Sequence, residues 1–161
     1  MNILLLSMPD SFEHMASITM RMPNGALTSL AGNLDPHHEV AVADLILVQK
    51  RVAETVERLL REREPDVVGL SVMTFQRRTA RRIVDLIRAR RPSARVVVGG
   101  YDPSLAPDAW TDGTADFVVR GEGELTFREL LRALEAGSGF GGSPGSPGAT
   151  GTATTRTPHG R

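Results

Sequence analysis

The sequence predicts a doubly wound α/β domain, with five parallel strands in the order 2-1-3-4-5 and helices on both faces. Two observations carry that expectation. Short apolar runs alternate along the chain with stretches whose apolar residues recur at three- and four-residue intervals, the pattern of strands joined by amphipathic crossover helices. Two of the runs, Val67-Val68-Gly69-Leu70 and Val96-Val97-Val98, are apolar at consecutive positions, as in strands covered on both faces. The 161 residues suffice for one such core.

The first strand is Ile3 to Ser7. The apolar start of the chain has no basic leader and runs into Met8-Pro9-Asp10, so it reads as a buried strand and not as a signal peptide. A long loop from Met8 to Pro23 follows, then Leu27, Leu30, Ala31 and Leu34 at helical spacing. The second strand is Val40 to Ala43, with an extension to Leu47 as the alternative. The next helix gathers Val52, Val56, Leu59 and Leu60 on one face, with Glu54/Arg58 and Glu57/Arg61 paired outside. It stops before Pro65. The third strand, Val67 to Val72, leads to a helix that buries Ala80, Ile83, Leu86 and Ile87 and ends near Pro92. The fourth, Arg95 to Val98, runs into Gly99-Gly100 and a short helix around Leu105 to Trp110. The fifth is Asp116 to Val119, and the last helix, Gly123 to Glu135, buries Phe127, Leu130, Leu131 and Leu134. This is the flavodoxin-like, Rossmann-like arrangement, in which ligands sit at the carboxyl ends of the strands near the switch point.

After Ala136 the chain turns to Gly, Ser, Pro, Thr and Ala. Such a segment buries too little surface to offset its ordering entropy, so the folded domain is expected over 1–136 and a disordered tail over 137–161. Hydrophobic residues are 40%, charged residues 24% and the net charge is zero, a globular composition with no basic field for nucleic acid or anionic lipid. No stretch is long and apolar enough to span a membrane, and the expected compartment is the cytoplasm. The chain contains no cysteine, which excludes disulfides, thiolate nucleophiles and a Cys-ligated iron–sulfur cluster in it.

Function should therefore be read at the carboxyl ends: Met8-Pro9-Asp10, Ser71-Val72-Met73-Thr74, Gly99-Gly100-Tyr101-Asp102-Pro103-Ser104 and Arg120-Gly121-Glu122-Gly123-Glu124. Either glycine pair alone does no more than turn the chain; two pairs at one edge, with Ser71 and Thr74 between them, point to a ligand. The commoner occupants of this fold fail. There is no Gly-x-Gly-x-x-Gly after the first strand for a dinucleotide, and Lys50, the only lysine, is not in a P-loop. Ser71 stands where a phospho-acceptor receiver needs an acid, and the first loop lacks the Ser/Thr/Gly content of an FMN site.

Taken together, Gly99-Gly100-Tyr101-Asp102-Pro103-Ser104 and Arg120-Gly121-Glu122-Gly123-Glu124 resemble the paired signatures of the cobalamin (B12)-binding domain of B12-dependent radical SAM proteins. Met22-Pro23-Asn24-Gly25-Ala26-Leu27 resembles that family's approach to its first helix. The resemblance covers the whole folded part. It departs at Tyr101, where many relatives carry His, and in having no Cys-x-x-x-Cys-x-x-Cys, so the radical SAM reaction centre is missing from this chain. The resemblance implies a cobalamin-binding module that is no enzyme on its own, with a radical SAM catalytic domain or chain as its partner. The corrin would lie across the carboxyl edge, with its nucleotide tail beside strands three to five. Gly99 and Gly100 would leave space for the tail, and Ser71 and Thr74 would donate to corrin amides or the tail. Free N–H groups at Gly121 and Gly123 would bind an acceptor, with Glu122 and Glu124 at the helix start. Met8 and Met73, with Met15, Met20 and Met22, would supply a soft apolar floor, and Tyr101 would stand beside it.

A related branch supplies an axial histidine from Asp-x-His-x-x-Gly after the first strand; counting from Asp10, this chain has Phe12 and Met15 there. The expected state is therefore base-off cobalamin with no protein nitrogen on cobalt. His14, at the wrong offset, is the only histidine in that loop. No other metal site is expected: His37 and His38 would point to opposite faces of a strand, and His159 lies in the tail. Arg77-Arg78 and Arg81-Arg82 read as a solvated helix face. Two other readings of the same scaffold remain: a small-molecule enzyme using Asp10, Ser71 and Asp102, or an interaction domain without a cofactor. Retention of a red colour after incubation with cobalamin separates them from the first.

Overall fold

The computed structural model describes residues 1–9, 25–137 and 152–155. Strand β1 (Asn2–Ser7) leads to helix α1 (Gly25–Gly32), followed by β2 (Glu39–Asp44), α2 (Val52–Arg63) and β3 (Val67–Ser71). Then come α3 (Arg77–Arg90), β4 (Arg95–Gly99), α4 (Tyr101–Leu105), β5 (Phe117–Arg120) and α5 (Gly123–Glu135). The strands β1 to β5 are parallel in the order 2-1-3-4-5. A sixth strand, β6 (Thr152–Thr155), pairs antiparallel with β5 at the edge. The tail expected to be disordered thus contributes a strand: four residues of Thr and Ala have enough strand preference to pair with an exposed edge.

Alternation along the strands divides the core in two. On one face, Leu4, Leu6, Val68, Leu70, Val96 and Val98 pack against Val56 and Leu60 of α2, Ile83 and Ile87 of α3, and Trp110. On the other, Ile3, Leu5, Val67, Val97 and Phe117 pack against Leu27 of α1 and Phe127, Leu130 and Leu131 of α5.

Three local expectations change. Strand β2 stops at Asp44, because the Asp44 carboxylate accepts from Ile46 N–H and caps a 3-10 turn over Leu45–Leu47. The helix after β4 begins earlier, at Tyr101, and gives way to a 3-10 turn from Pro107 to Trp110, since Pro107 cannot donate to a continuing helix. The outer charges of α2 pair as Arg51–Glu54, Arg58–Glu62 and Arg90–Glu57, so the last pair links α2 to α3 instead of lying within α2.

Candidate functional site

The register aligns Ser7, Ser71 and Gly99 across β1, β3 and β4 at the carboxyl end, on the α1/α5 face. One row below, Leu5, Gly69 and Val97 align. Small residues at Ser71 and Gly99 thin the sheet where branched side chains would otherwise stand, and Gly69 lets the Leu5 side chain lie flat beside it. A cavity of about 260 Å³ results. Leu5, Gly69, Ser71, Val97, Gly99 and Val119 line it from the strands, and Ala26, Leu27, Leu30 and Phe127 from the helices. Gly100, Gly121, Glu122, Gly123 and Glu124 line it from the loops. Its surface is almost wholly apolar, with Ser71, the glycine backbones and two carboxylates as the polar exceptions.

The two glycines of the fourth loop act differently. A Cβ at Gly99 would make only ordinary contacts, 3.5 Å from Val119 O and 3.7 Å from Val119 Cβ. Gly100 has φ 100° and a Cβ there would come within 2.9 Å of Val72 N. Gly100 is thus required by the backbone; Gly69 makes room for the Leu5 side chain, whose Cδ2 a Cβ there would meet at 2.8 Å, and Gly99 is the glycine that leaves open space. The expectation that Gly100 simply opens room is corrected on that ground.

Ser104 ties the two glycine loops together. Its hydroxyl donates to Gly100 O (2.7 Å) and accepts from Gly121 N–H (3.0 Å). The Gly121 N–H, expected to be free for a ligand, therefore has a protein partner. At the start of α5, Glu122 makes no side-chain cap, and Glu124 accepts from the Ser29 hydroxyl of α1 at 2.8 Å, which pins α1 over the cavity mouth.

Beneath the edge, Asp102 is fully buried and accepts from Arg77 Nε (2.9 Å), Arg77 Nη2 (2.7 Å) and Trp110 Nε1 (3.0 Å). Burial acts to raise its pKa, but the hydrogen bonds from Arg77, Trp110 and Thr74 together hold it below the usual carboxylate range. Asp102 is saturated by protein donors, which leaves it no role as an exposed catalytic acid or base. Arg81 donates to Asp112 (3.0 Å) and to Ala109 O, and lies over the Trp110 ring. Two of the four arginines read as a solvated face are therefore structural.

Of the residues singled out in the sequence, the cavity brings together Ser71, Gly99, Gly100, Gly121, Glu122, Gly123 and Glu124. Met8 does not join them. It is buried on the α2/α3 face, because it lies two residues beyond Leu6, and its carbonyl accepts from Gln76 Nε2 at 2.8 Å. Met73, Thr74 and Tyr101 stand exposed on the loops above the edge, with Phe75 beside them. His14, Met15, Met20 and Met22 lie outside the described residues. Sequence reasoning missed Gly69, Leu30 and Ser104. A glycine inside an otherwise branched, doubly buried strand was the available signal for the first.

Pockets for drug-sized ligands measure roughly 300–1,000 Å³, so this cavity has room for a small group or for part of a larger molecule. The remainder would lie on the carboxyl edge, where Met73, Phe75 and Tyr101 expose 44–58% of their surface.

Residues 14–131 match the model of the B12 binding domain. An uncharacterized methyltransferase, PH0819, from Pyrococcus horikoshii is 29% identical over 139 residues, covering 85% of this chain and 30% of that protein. The anaerobic magnesium-protoporphyrin IX monomethyl ester cyclase of Synechocystis is 32% identical over 139 residues, 84% of this chain and 28% of the cyclase. Among solved structures, the radical S-adenosylmethionine methyltransferase TsrM from Kitasatospora setae, with tryptophan and a SAM analog bound, superposes at TM-score 0.73. The pair are 26% identical, and the match covers 90% of this chain and 28% of TsrM. TsrM with cobalamin and a [4Fe-4S] cluster superposes at 0.67. The chain thus spans less than a third of each of these relatives. Among the described residues no helix is long and apolar enough to cross a membrane.

Proposed function

The chain belongs to the B12-binding domain family, and we propose that it holds cobalamin with the corrin on the carboxyl edge and the nucleotide tail in the cavity under α1 and α5. It is a B12-binding domain resembling that of B12-dependent radical SAM methyltransferases. The observation that carries the placement is the apolar cavity over Gly69 and Gly99, open at that edge through the Gly121–Glu124 loop. Bound cobalt would supply methyl-carrying or one-electron chemistry; the residues of this chain bind and orient. Val97, Val119, Leu30 and Phe127 would enclose the flat base, and Ser71 would donate to the tail. Gly123 N–H, at the positive end of α5, would donate to an acceptor group. Met73, Phe75 and Tyr101 would shield the corrin face from water.

We further propose that cobalamin is held base-off without a protein nitrogen on cobalt. The loop after β1 has Phe12 and Met15 where an axial-histidine motif needs His and Gly. A tail lodged in the cavity would also keep its base away from the cobalt. The partner in this reading is a radical SAM domain or chain, since TsrM, of which the match covers a quarter, is a radical S-adenosylmethionine methyltransferase solved with a [4Fe-4S] cluster, and the sequence has no cysteine to bind one. The compartment is the cytoplasm, on composition alone.

Incubation with hydroxocobalamin followed by desalting tests the binding. The protein fraction should keep the visible absorption of corrin at one equivalent. Colourless protein would overturn the reading. Electron paramagnetic resonance of the bound Co(II) form tests the axial ligand: the spectrum should lack the triplet splitting of a coordinated nitrogen. A triplet that vanishes in His14→Ala would identify that histidine as the ligand instead.

A further inference from the structure

The opposite, amino end of the sheet carries a second cluster, with no part in the cobalamin site. The chain turns there through Asp35-Pro36-His37-His38 before β2, closed by His38 N–H donating to Asp35 O at 3.1 Å. Both histidines precede the strand, so strand alternation does not separate them. Their rings lie side by side, with centroids 4.1 Å apart. The end of α5 meets this turn through two residues one helical turn apart. Arg132 clamps the Asp35 carboxylate with two bonds of 2.7 Å, and Glu135 points its carboxylate between the imidazoles. His37 Nε2 lies 3.0 Å from Glu135 Oε2 and 3.1 Å from Oε1, and His38 Nδ1 lies 3.5 Å from Oε1.

We propose that His37, His38 and Glu135 form a binding site for a divalent transition cation of the zinc class. The three donor atoms lie within 4.8 Å of one another. A tetrahedral centre with bonds of about 2.1 Å separates its ligand atoms by about 3.4 Å, close to the 3.0–3.5 Å between the carboxylate and the two rings. The Arg132–Asp35 clamp already fixes the turn against the helix.

The donor set suits such a cation. The His38 side chain is wholly buried, with its Nδ1 3.5 Å from both Glu135 Oε1 and the Met1 nitrogen. Two imidazoles and one carboxylate select zinc, nickel or cobalt over magnesium and calcium. His37 and Glu135 are partly exposed, at 57% and 31%, which gives the ion a path and leaves water as the fourth ligand. The Met1 nitrogen, 3.7 Å from Glu135 Oε1, is the cation that shares this carboxylate before a metal arrives. The site would clamp the end of α5 to the start of β2.

The test uses the tag-free, cobalamin-free chain in metal-free buffer, titrated with ZnCl2 by calorimetry and followed by thermal melting. One equivalent of zinc should bind, raise the melting temperature and be reversed by EDTA, while MgCl2 does neither. His37→Ala and Glu135→Gln, both at partly exposed positions, should fold as the parent does. Each should lose at least the ~10- to 100-fold in zinc affinity that disturbing even a ligand's outer partner causes. Binding of Co(II) should give the intense visible bands of a tetrahedral centre, absent in both variants. No zinc binding, or equal affinity in parent and variants, overturns the proposal. So does loss of binding in His14→Ala alone, which would move the site to the loop after β1.

Discussion

The two faces of the sheet are made from the same strands and differ in what stands at their carboxyl ends. On the α2/α3 face the last positions are Met8, Val72 and Val98, all buried beneath Trp110 and α3. On the α1/α5 face the corresponding positions are Ser7, Ser71 and Gly99, and Ser7 is turned aside, its hydroxyl donating to the Asp44 carboxylate. One face is filled with protein and the other holds a cavity. A parallel sheet thus creates a ligand site by thinning a few side chains of one parity at one end, without altering the backbone. The filled face supplies rigidity: Gln76 joins the loops after β1 and β3, and Asp102 gathers Arg77 and Trp110 beneath the fourth.

This contrast can be broken by truncation on each face. Trp110→Ala should cost about 3–5 kcal/mol, since the indole is fully buried and also donates to Asp102. Leu30→Ala, at the cavity wall, should cost only about 1 kcal/mol yet weaken cobalamin retention. Urea unfolding with and without cobalamin measures both. Equal costs on the two faces would remove the distinction.

Next in size is Arg77→Ala, expected to destabilise by about 2–3 kcal/mol at pH 7 by leaving the Asp102 carboxylate short of donors. The sign with pH follows from the lowered Asp102 pKa. The folded state binds its proton less readily than the unfolded chain does. The stabilisation is therefore complete above the unfolded carboxylate value, about 3.9, and is lost as pH falls through the lower folded value. The gap in stability between parent and Arg77→Ala should be widest at neutral pH and narrow as the pH falls, because the buried Asp102 of the variant, without its arginine, takes up its proton first. A gap that stayed constant to acid pH would mean that the pair does not act through charge.

A smaller effect is expected from Gly100→Ala, about 1–3 kcal/mol, from the positive φ and the crowding against Val72. Thermal melting measures it, and a neutral result would mean that the loop relaxes freely.

Much of this was legible in the sequence. Consecutive valines gave β3 and β4, and the strand order followed from parallel crossovers. The loops carrying Gly99 and Gly121 to Glu124 lie at the carboxyl edge of the sheet, where the order of elements puts them. The finer assignments failed where a side chain's face depends on parity or on partners far along the chain. Met8 lies two residues after Leu6 and so belongs to the Leu4/Leu6 face, a fact that period-2 counting alone contains. Gly100 looked like Gly99 because sequence does not reveal φ. Ser104 and Asp102 sat inside a recognised motif, but their roles depend on Gly121, Arg77 and Trp110. His37 and His38 precede β2 and so escape its alternation, and they gain a third donor only because α5 brings Glu135 to their turn, a contact between residues nearly a hundred positions apart.

The measurement that tests the central claim most directly is cobalamin retention by Gly99→Leu. Gly99 tolerates a Cβ in ordinary contact with Val119, and the rest of a leucine side chain would extend into the cavity. The variant should melt at or above the parent temperature and emerge from desalting without corrin absorption, while the parent keeps one equivalent. Retention of cobalamin by a folded Gly99→Leu, at the parent's affinity, would show that the nucleotide tail does not enter this cavity.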